Sequence, residues 1–259
     1  MDESTIRAQL ADLPVPDLRY FPSVGSTNDI ALSWAESGAP DCAVVIADEQ
    51  TSGRGRMNRH WITPPGSALA FSLIFRPTPE EVARSALFSP LGALAVSETI
   101  TGLNLTAQIK WPNDVLINGR KLCGILAESV WQGNRLQAVV LGIGLNVTPV
   151  SVPPGNLLKF PATCLQTELG SWVDRWELLV TILKEILTWR PRLGSPQFMQ
   201  TWEDRLAFRG EEICLETPNG VALNGKLVGI EADGGLRLRL ADGSEERMLA
   251  GDVSLRPAS

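Results

Sequence analysis

The sequence predicts an α+β chain, a larger region of helices and strands followed by a small all-β unit. Three observations carry this. Short, β-branched apolar runs alternate with helical stretches over residues 26–103. A meander of strands punctuated by turn dipeptides fills 106–147. After Arg209-Gly210 the texture changes to four or five short strands broken by glycine-containing turns, a spacing that suits a small barrel. The boundary therefore falls near residue 209, giving regions 1–208 and 209–259, and 259 residues suffice for two unequal cores.

Taken in order, STNDIALSWAESGAP (26–40) reads as a helix capped by Thr27 or Asn28 and ended by Gly38. CAVVIADEQ (42–50) reads as a buried strand, and ALAFSLIFRP (68–77) as another. Residues 79–103 are helical, with Pro79 suited to a first turn and Pro90 expected to split the helix in two. In the meander, Asn118-Gly119 is a two-residue hairpin signal and Gly133-Asn134 marks the next turn. A proline-rich loop follows over 148–161. Residues 174–189 form the clearest helix, with Asp174 and Glu177 as a capping-box pair and one apolar stripe. Ser195-Pro196 opens a further helix to about 208. The terminal strands are expected to turn at PNG, NG, ADGG and ADG.

The bulk numbers exclude several classes. The formal charge is -6, which argues against a general nucleic-acid binder with a broad basic face. No apolar run approaches the roughly 18 residues of a membrane span. The start, MDESTIRAQLADLP, lacks the basic and apolar regions of a secretory signal. Four widely spaced cysteines, no CxxC and a single histidine, His60, give no zinc site, so no metal ligands are assigned. Reduced cysteines in a cytoplasmic protein are the plain reading.

Against this acidic background GRGRMNRHW (53–61) places Arg54, Arg56 and Arg59 within six positions. Glycines expose backbone N–H groups to a ligand, and arginines offer planar forks for phosphate or carboxylate oxygens. The segment is either a local anion site or a solvated turn, and it lacks Walker-loop spacing. KWPNDVLINGRKLCGILAE (110–128) brings Lys110, Asn113 and Asp114 to the start of a tight hairpin and Lys121 just past its turn. A lysine held this way can steady developing negative charge, or serve only as a solubility charge. LGIGLNV (141–147) ends a strand with glycines that permit close approach, then Asn146.

STN, Q..GRGR..R.W, KWPND with KLCGILAE, and GIGLNV stand in this order, and the pattern resembles the biotin protein ligases over essentially the whole chain. The resemblance implies a mixed β-sheet with helices, like the class II aminoacyl-tRNA synthetases, plus a C-terminal SH3-like domain. It implies a ligase that forms biotinyl-5′-AMP from biotin and ATP, with Mg²⁺ accompanying ATP, and passes biotin to a lysine of a biotin carboxyl carrier protein domain of acetyl-CoA carboxylase or a related carboxylase. Carried over, Ser26, Thr27, Asn28 and Gln50 would meet the biotin ureido end. Gly53, Arg54, Gly55 and Arg56 would close over biotin and the adenylate, with Gly124 beside biotin. Arg59, Trp61, Lys110, Asn113 and Asn146 would serve ATP or the adenylate. Lys121 would bridge biotin carboxylate and α-phosphate, Arg56 would assist it, and Asp114 would position the carrier lysine.

Two departures stand out. Asn58 replaces the glycine usual in GRGRxGR, and asparagine is the best non-glycine substitute at a left-handed position. STN begins at residue 26, which leaves no room before it for the winged helix-turn-helix of the family's repressors, so no DNA binding is expected. Monomer and homodimer are both open. The rivals are a lipoate ligase or octanoyltransferase, which share the fold but lack the GRGR and KWPND pairing, and a non-enzymatic protein, either a biotin- or adenylate-binding regulator or a scaffold whose loop is only a partner patch.

Overall fold

The structure of the chain, a computed structural model, describes residues 3–155, 160–217, 220–249 and 251–255. The elements run α1 (Glu3–Gln9), β1 (Leu18–Phe21), α2 (Thr27–Glu36), β2 (Ala43–Ala47), β3 (Gln50–Arg54), β4 (His60–Thr63), β5 (Ala68–Phe75), α3 (Pro79–Val82) and α4 (Phe88–Gly102). The meander follows as β6 (Ala107–Lys110), β7 (Asp114–Ile117), β8 (Arg120–Gln132) and β9 (Arg135–Asn146). Then come α5 (Leu165–Leu169), α6 (Arg175–Trp189), α7 (Pro196–Asp204), β10 (Glu212–Glu216), β11 (Ala222–Ile230), β12 (Leu236–Arg239), β13 (Glu245–Met248) and β14 (Asp252–Leu255).

The buried runs pair into a mixed sheet ordered β1-β2-β5-β9-β8-β7-β6, parallel only between β1 and β2. The sheet is covered on both faces. Ala31, Trp34 and Ala35 of α2 pack on Val45, Ile74 and Val140. The opposite face carries α4 and α6 over the main core. Eleven of the fifteen α4 residues are buried, so this helix is enclosed on all sides rather than amphipathic. Cover on both faces also explains why β5 is buried at every position. The expected α+β class holds.

Several local expectations are corrected. The cap position of α2 is Ser26, in extended conformation, not Thr27 or Asn28, and its side chain makes no capping bond. Pro90 does not split a helix: it lies in the first turn of α4, where a missing N–H costs nothing, and the break falls earlier, between α3 and α4. Asp174 caps α6 by accepting from the Trp176 N–H at 2.8 Å, without a reciprocal bond from Glu177. The arginine segment is not a plain loop after a strand. Its stems, β3 and β4, pair with each other as a separate two-stranded ribbon. The left-handed backbone in its tip belongs to Met57 (φ 55°), one residue before Asn58, whose side chain lies outside the description. Asn224-Gly225 is no turn but lies inside β11, where a Cβ on Gly225 would stand 2.5 Å from the Arg239 carbonyl oxygen. The expected PNG turn lies largely outside the described residues, as does part of the proline-rich loop.

The final strands form an antiparallel sheet ordered β13-β12-β11-β10-β14. Its Ile213, Leu215, Leu236 and Leu238 share one core with Phe198 and Trp202. The Trp111 indole donates to the Gly234 carbonyl at 2.9 Å, and Ile109 exchanges backbone bonds with Arg205 and Ala207. These contacts fix the start of β14 beside the ends of β6 and β7.

Candidate active site

Strand ends, the β3–β4 ribbon and the start of β14 enclose a cavity of about 620 Å³. One end is neutral and polar. The Thr27 N–H and hydroxyl both donate to Gln50 Oε1, at 2.8 and 3.1 Å, and Ser26 lines the wall beside them. Behind them Ser72 Oγ lies 2.8 Å from the Thr27 hydroxyl and 2.6 Å from Asn28 Oδ1.

The other end is cationic. Lys121 Nζ lies 2.7 Å from Asp114, and Lys110 Nζ lies 3.8 Å from Asp114 and 2.8 Å from Asp252. Arg59 pairs with Asp252 at 2.6 Å, while Arg56 donates to Asn113 Oδ1 at 3.2 Å and to the Gly251 carbonyl at 3.4 Å. Four cations thus face Asp114 and Asp252, and with Glu216 also in the lining a local surplus of positive charge remains in an acidic chain. Burial alone would raise the Asp252 pKa, but Lys110 and Arg59 outweigh it and hold the carboxyl down at about 2. Burial lowers the Arg56 pKa, opposed by Asp114 and Asp252. The Phe160 and Trp61 rings stand 5.0 and 5.6 Å from the Lys110 and Lys121 ammonium groups.

The floor is made of glycine. Gly124 and Gly144 oppose each other across β8 and β9, and the Trp61 indole rests on them. A Cβ on Gly144 would lie 2.5 Å from Trp61 Nε1, a buried nitrogen with no hydrogen-bond partner among the described residues. Gly142 likewise admits Asn28, whose Cγ would stand 2.8 Å from an added Cβ. The close approach read from GIGLNV is real, but these glycines receive the chain's own side chains.

Nearly all the residues singled out in the sequence line this one cavity, namely Ser26, Thr27, Asn28, Gln50, Arg54, Gly55, Arg56, Arg59, Trp61, Lys110, Asn113, Asp114, Lys121, Gly124 and Asn146. Gly53 does not. It is buried behind the wall, against the Trp61 backbone and Gln50. Four others line the cavity with polar groups committed elsewhere. Asn28 donates to Glu128 at 2.7 Å and accepts from Ser72. Asn113 and Asn146 donate to the carbonyls of Ile125 and Thr163, at 2.7 and 3.0 Å. The Arg54 guanidinium turns to Glu128 and Asp29. Sequence reasoning missed Asp252, Gly251, Phe160 and Glu128. Only Glu128 lay within a motif, at the end of KLCGILAE; Asp252 carried no local signal.

Residues 20–146 match the biotin/lipoate A/B protein ligase family, and residues 208–256 match the biotin protein ligase C-terminal domain. The chain is 37% identical to the biotin–[acetyl-CoA-carboxylase] ligase of Paracoccus denitrificans, over 83% of this chain and 90% of that one. It is 34% identical to the enzyme of the same name from Mycobacterium tuberculosis, over 98% and 95%. The chain belongs to the biotin protein ligase family. It is also 34% identical to the bifunctional ligase/repressor BirA of Bacillus spizizenii, over 98% of this chain and 79% of that one. Among solved structures, the biotin protein ligase from Aquifex aeolicus in complex with biotin and ATP superposes with a TM-score of 0.79 at 29% identity, covering 94% of this chain and all of that one. The mixed sheet with its small C-terminal sheet is thus the fold of this ligase family, SH3-like unit included.

The family uses ATP, which carries Mg²⁺. Among the described residues no three of His, Cys, Asp and Glu cluster as a metal cage, and Asp114 and Asp252 are engaged by lysine or arginine. The donor set would suit a metal arriving on the phosphates.

Proposed function

We propose that this biotin protein ligase joins biotin to ATP as biotinyl-5′-AMP with release of pyrophosphate, then transfers the biotinyl group to a carrier lysine with release of AMP. The observation that carries this reading is the polarity of the cavity, neutral and polar at Thr27 and Gln50, cationic at Arg56, Arg59, Lys110 and Lys121. Biotin has matching ends, a neutral ureido ring and a carboxylate. That carboxylate must approach an anionic α-phosphate, so preorganised cations lower the barrier.

In this assignment Lys121 and Arg56 face the reacting carboxylate and phosphate, and Lys110 and Arg59 take the remaining phosphate charge. Mg²⁺ bound to ATP would supply further neutralisation. Trp61 and Phe160 wall the site and exclude water from the mixed anhydride. Asp114, already beside two ammonium groups, has the chemistry to hold the incoming lysine and accept its proton. Residues 1–208 provide most of the site, and 209–259 add Glu216, Gly251, Asp252 and Val253.

The names of the Paracoccus and Mycobacterium relatives make the carrier domain of acetyl-CoA carboxylase the expected acceptor. We place the reaction in the cytoplasm, and no described helix is long and apolar enough to cross a membrane. Pyrophosphate release from ATP should require biotin and not proceed with octanoate or lipoate. The biotinyl group should then appear on one lysine of an added carrier domain. Biotin binding without pyrophosphate release would replace this reading with a non-catalytic binder.

A further inference from the structure

Arg54 belongs to the basic segment, yet it holds none of the cavity's cationic end. Its guanidinium makes a two-pronged pair with Glu128, at 2.8 and 2.7 Å, and reaches Asp29 at the start of α2, at 2.7 Å. Glu128 Oε2 also accepts from Asn28 at 2.7 Å. Asn28 is in turn fixed by Ser72 and by the space at Gly142. With two carboxylates on one guanidinium, this cluster has net negative charge and repels phosphate. The remaining arginines of the ribbon point the other way, Arg56 and Arg59 toward Asn113, Gly251 and Asp252.

We propose that Glu128 is a positioning residue for the adenylate-covering loop: through Arg54 it pins the β3 stem to β8 and α2, so that opening and closing are confined to residues from Gly55 onward. The inference rests on the proposed adenylation. A fork held bidentately cannot rotate about one bond as a lysine can, and this makes Arg54 a strut. Among the described residues, the tip beyond the strut is tied to the rest of the chain through the side-chain bonds of Arg56 and Arg59, which a nucleotide can replace; its backbone bonds, from the Gly55 N–H to Arg59 and from the Arg59 N–H to Arg56, stay within the tip. Glu128 touches neither biotin nor phosphate in this scheme; it decides where the hinge lies.

Two variants test it, Glu128→Gln, which keeps the shape and the Asn28 bond, and Arg54→Lys, which keeps the charge but loses the fork. Two readouts are used. Trypsin cleavage after Arg56 and Arg59 is followed in the full chain without ligand, and escape of biotinyl-5′-AMP is followed after a single turnover. Each variant is expected to cleave and to leak roughly tenfold faster than wild type, equivalent to about 1.4 kcal/mol, with the thermal midpoint nearly unchanged. The double variant should be no worse than either single one, because both remove the same pair. Wild-type cleavage rates in both variants, or effects that add in the double variant, would overturn the proposal. Absence of biotin-dependent pyrophosphate release by the wild type would refute the proposed function instead, and the cleavage readout would still decide on the strut.

Discussion

Lys121→Ala should separate the proposed catalysis from stability. Lys121 Nζ lies 2.7 Å from Asp114, whose side chain is only 10% exposed. Orphaning a buried carboxylate costs about 3–5 kcal/mol. Asp114 is not orphaned here, because Lys110 remains 3.8 Å away. The stability loss should therefore be about 1–2 kcal/mol, a drop of roughly 2–8 °C in midpoint for a chain of this size. Catalysis has no such reserve, since Lys110 is committed to Asp252. Removing one preorganised donor from a developing charge costs about 3–4 kcal/mol, or roughly 10²–10³-fold in rate. Biotin-dependent pyrophosphate release and a thermal melt of the same preparation measure both quantities. A variant that melts as expected yet turns over within threefold of wild type would refute the role of Lys121. A variant that unfolds at room temperature would refute the reserve assigned to Lys110.

Gly142→Ala forces Asn28 from its bonds to Ser72 and Glu128 and should cost about 2–4 kcal/mol in urea unfolding; a loss below 1 kcal/mol would mean that Asn28 is not locked. Gly144→Ala should lift the Trp61 indole and expose Nε1, raising its acrylamide quenching, with Trp61→Phe identifying the signal; unchanged quenching would argue against the glycine floor. Asp252→Asn tests the tie between β14 and the cationic end. The folded Asp252 pKa is depressed from 3.8 to about 2, so its contribution is full above pH 3.8 and lost as pH falls toward 2. Discounted for partial exposure, the difference between wild type and variant should be about 1–2 kcal/mol at pH 6 and shrink below pH 3.8; a difference independent of pH from 6 to 3 would exclude the ion pairs as its source.

Much of the site could be read without coordinates because its chemistry is local in sequence. The hairpin at Asn118-Gly119 forms as expected, with φ of 51° and 68°, since few dipeptides tolerate two successive left-handed residues. That turn places Lys121 beside Asp114. The strands of the meander were equally plain, because apolar runs between turn residues leave few alternatives. Local preference yields where it meets a nonlocal partner. Asn224-Gly225 carries a turn signal, but the close backbone carbonyl of Arg239 on the neighbouring strand demands a glycine within a strand. Pro90 breaks helix interiors, and only the true helix start shows that it stands in a first turn.

By itself, the sequence determined the family, the element types over the meander and the set of residues that would gather in one cavity, since motif order and turn chemistry survive without coordinates. The tertiary structure decided what each charge is paired with. Arg54 and Arg56 are chemically identical and two residues apart, yet the guanidinium of one is held by two carboxylates and that of the other joins the cavity's cationic end. Asp252 reaches Lys110 and Arg59 from 142 and 193 residues away. An ion pair depends on distances of a few ångströms and on the surrounding burial, and both are set only when remote strands have been brought together by a common core.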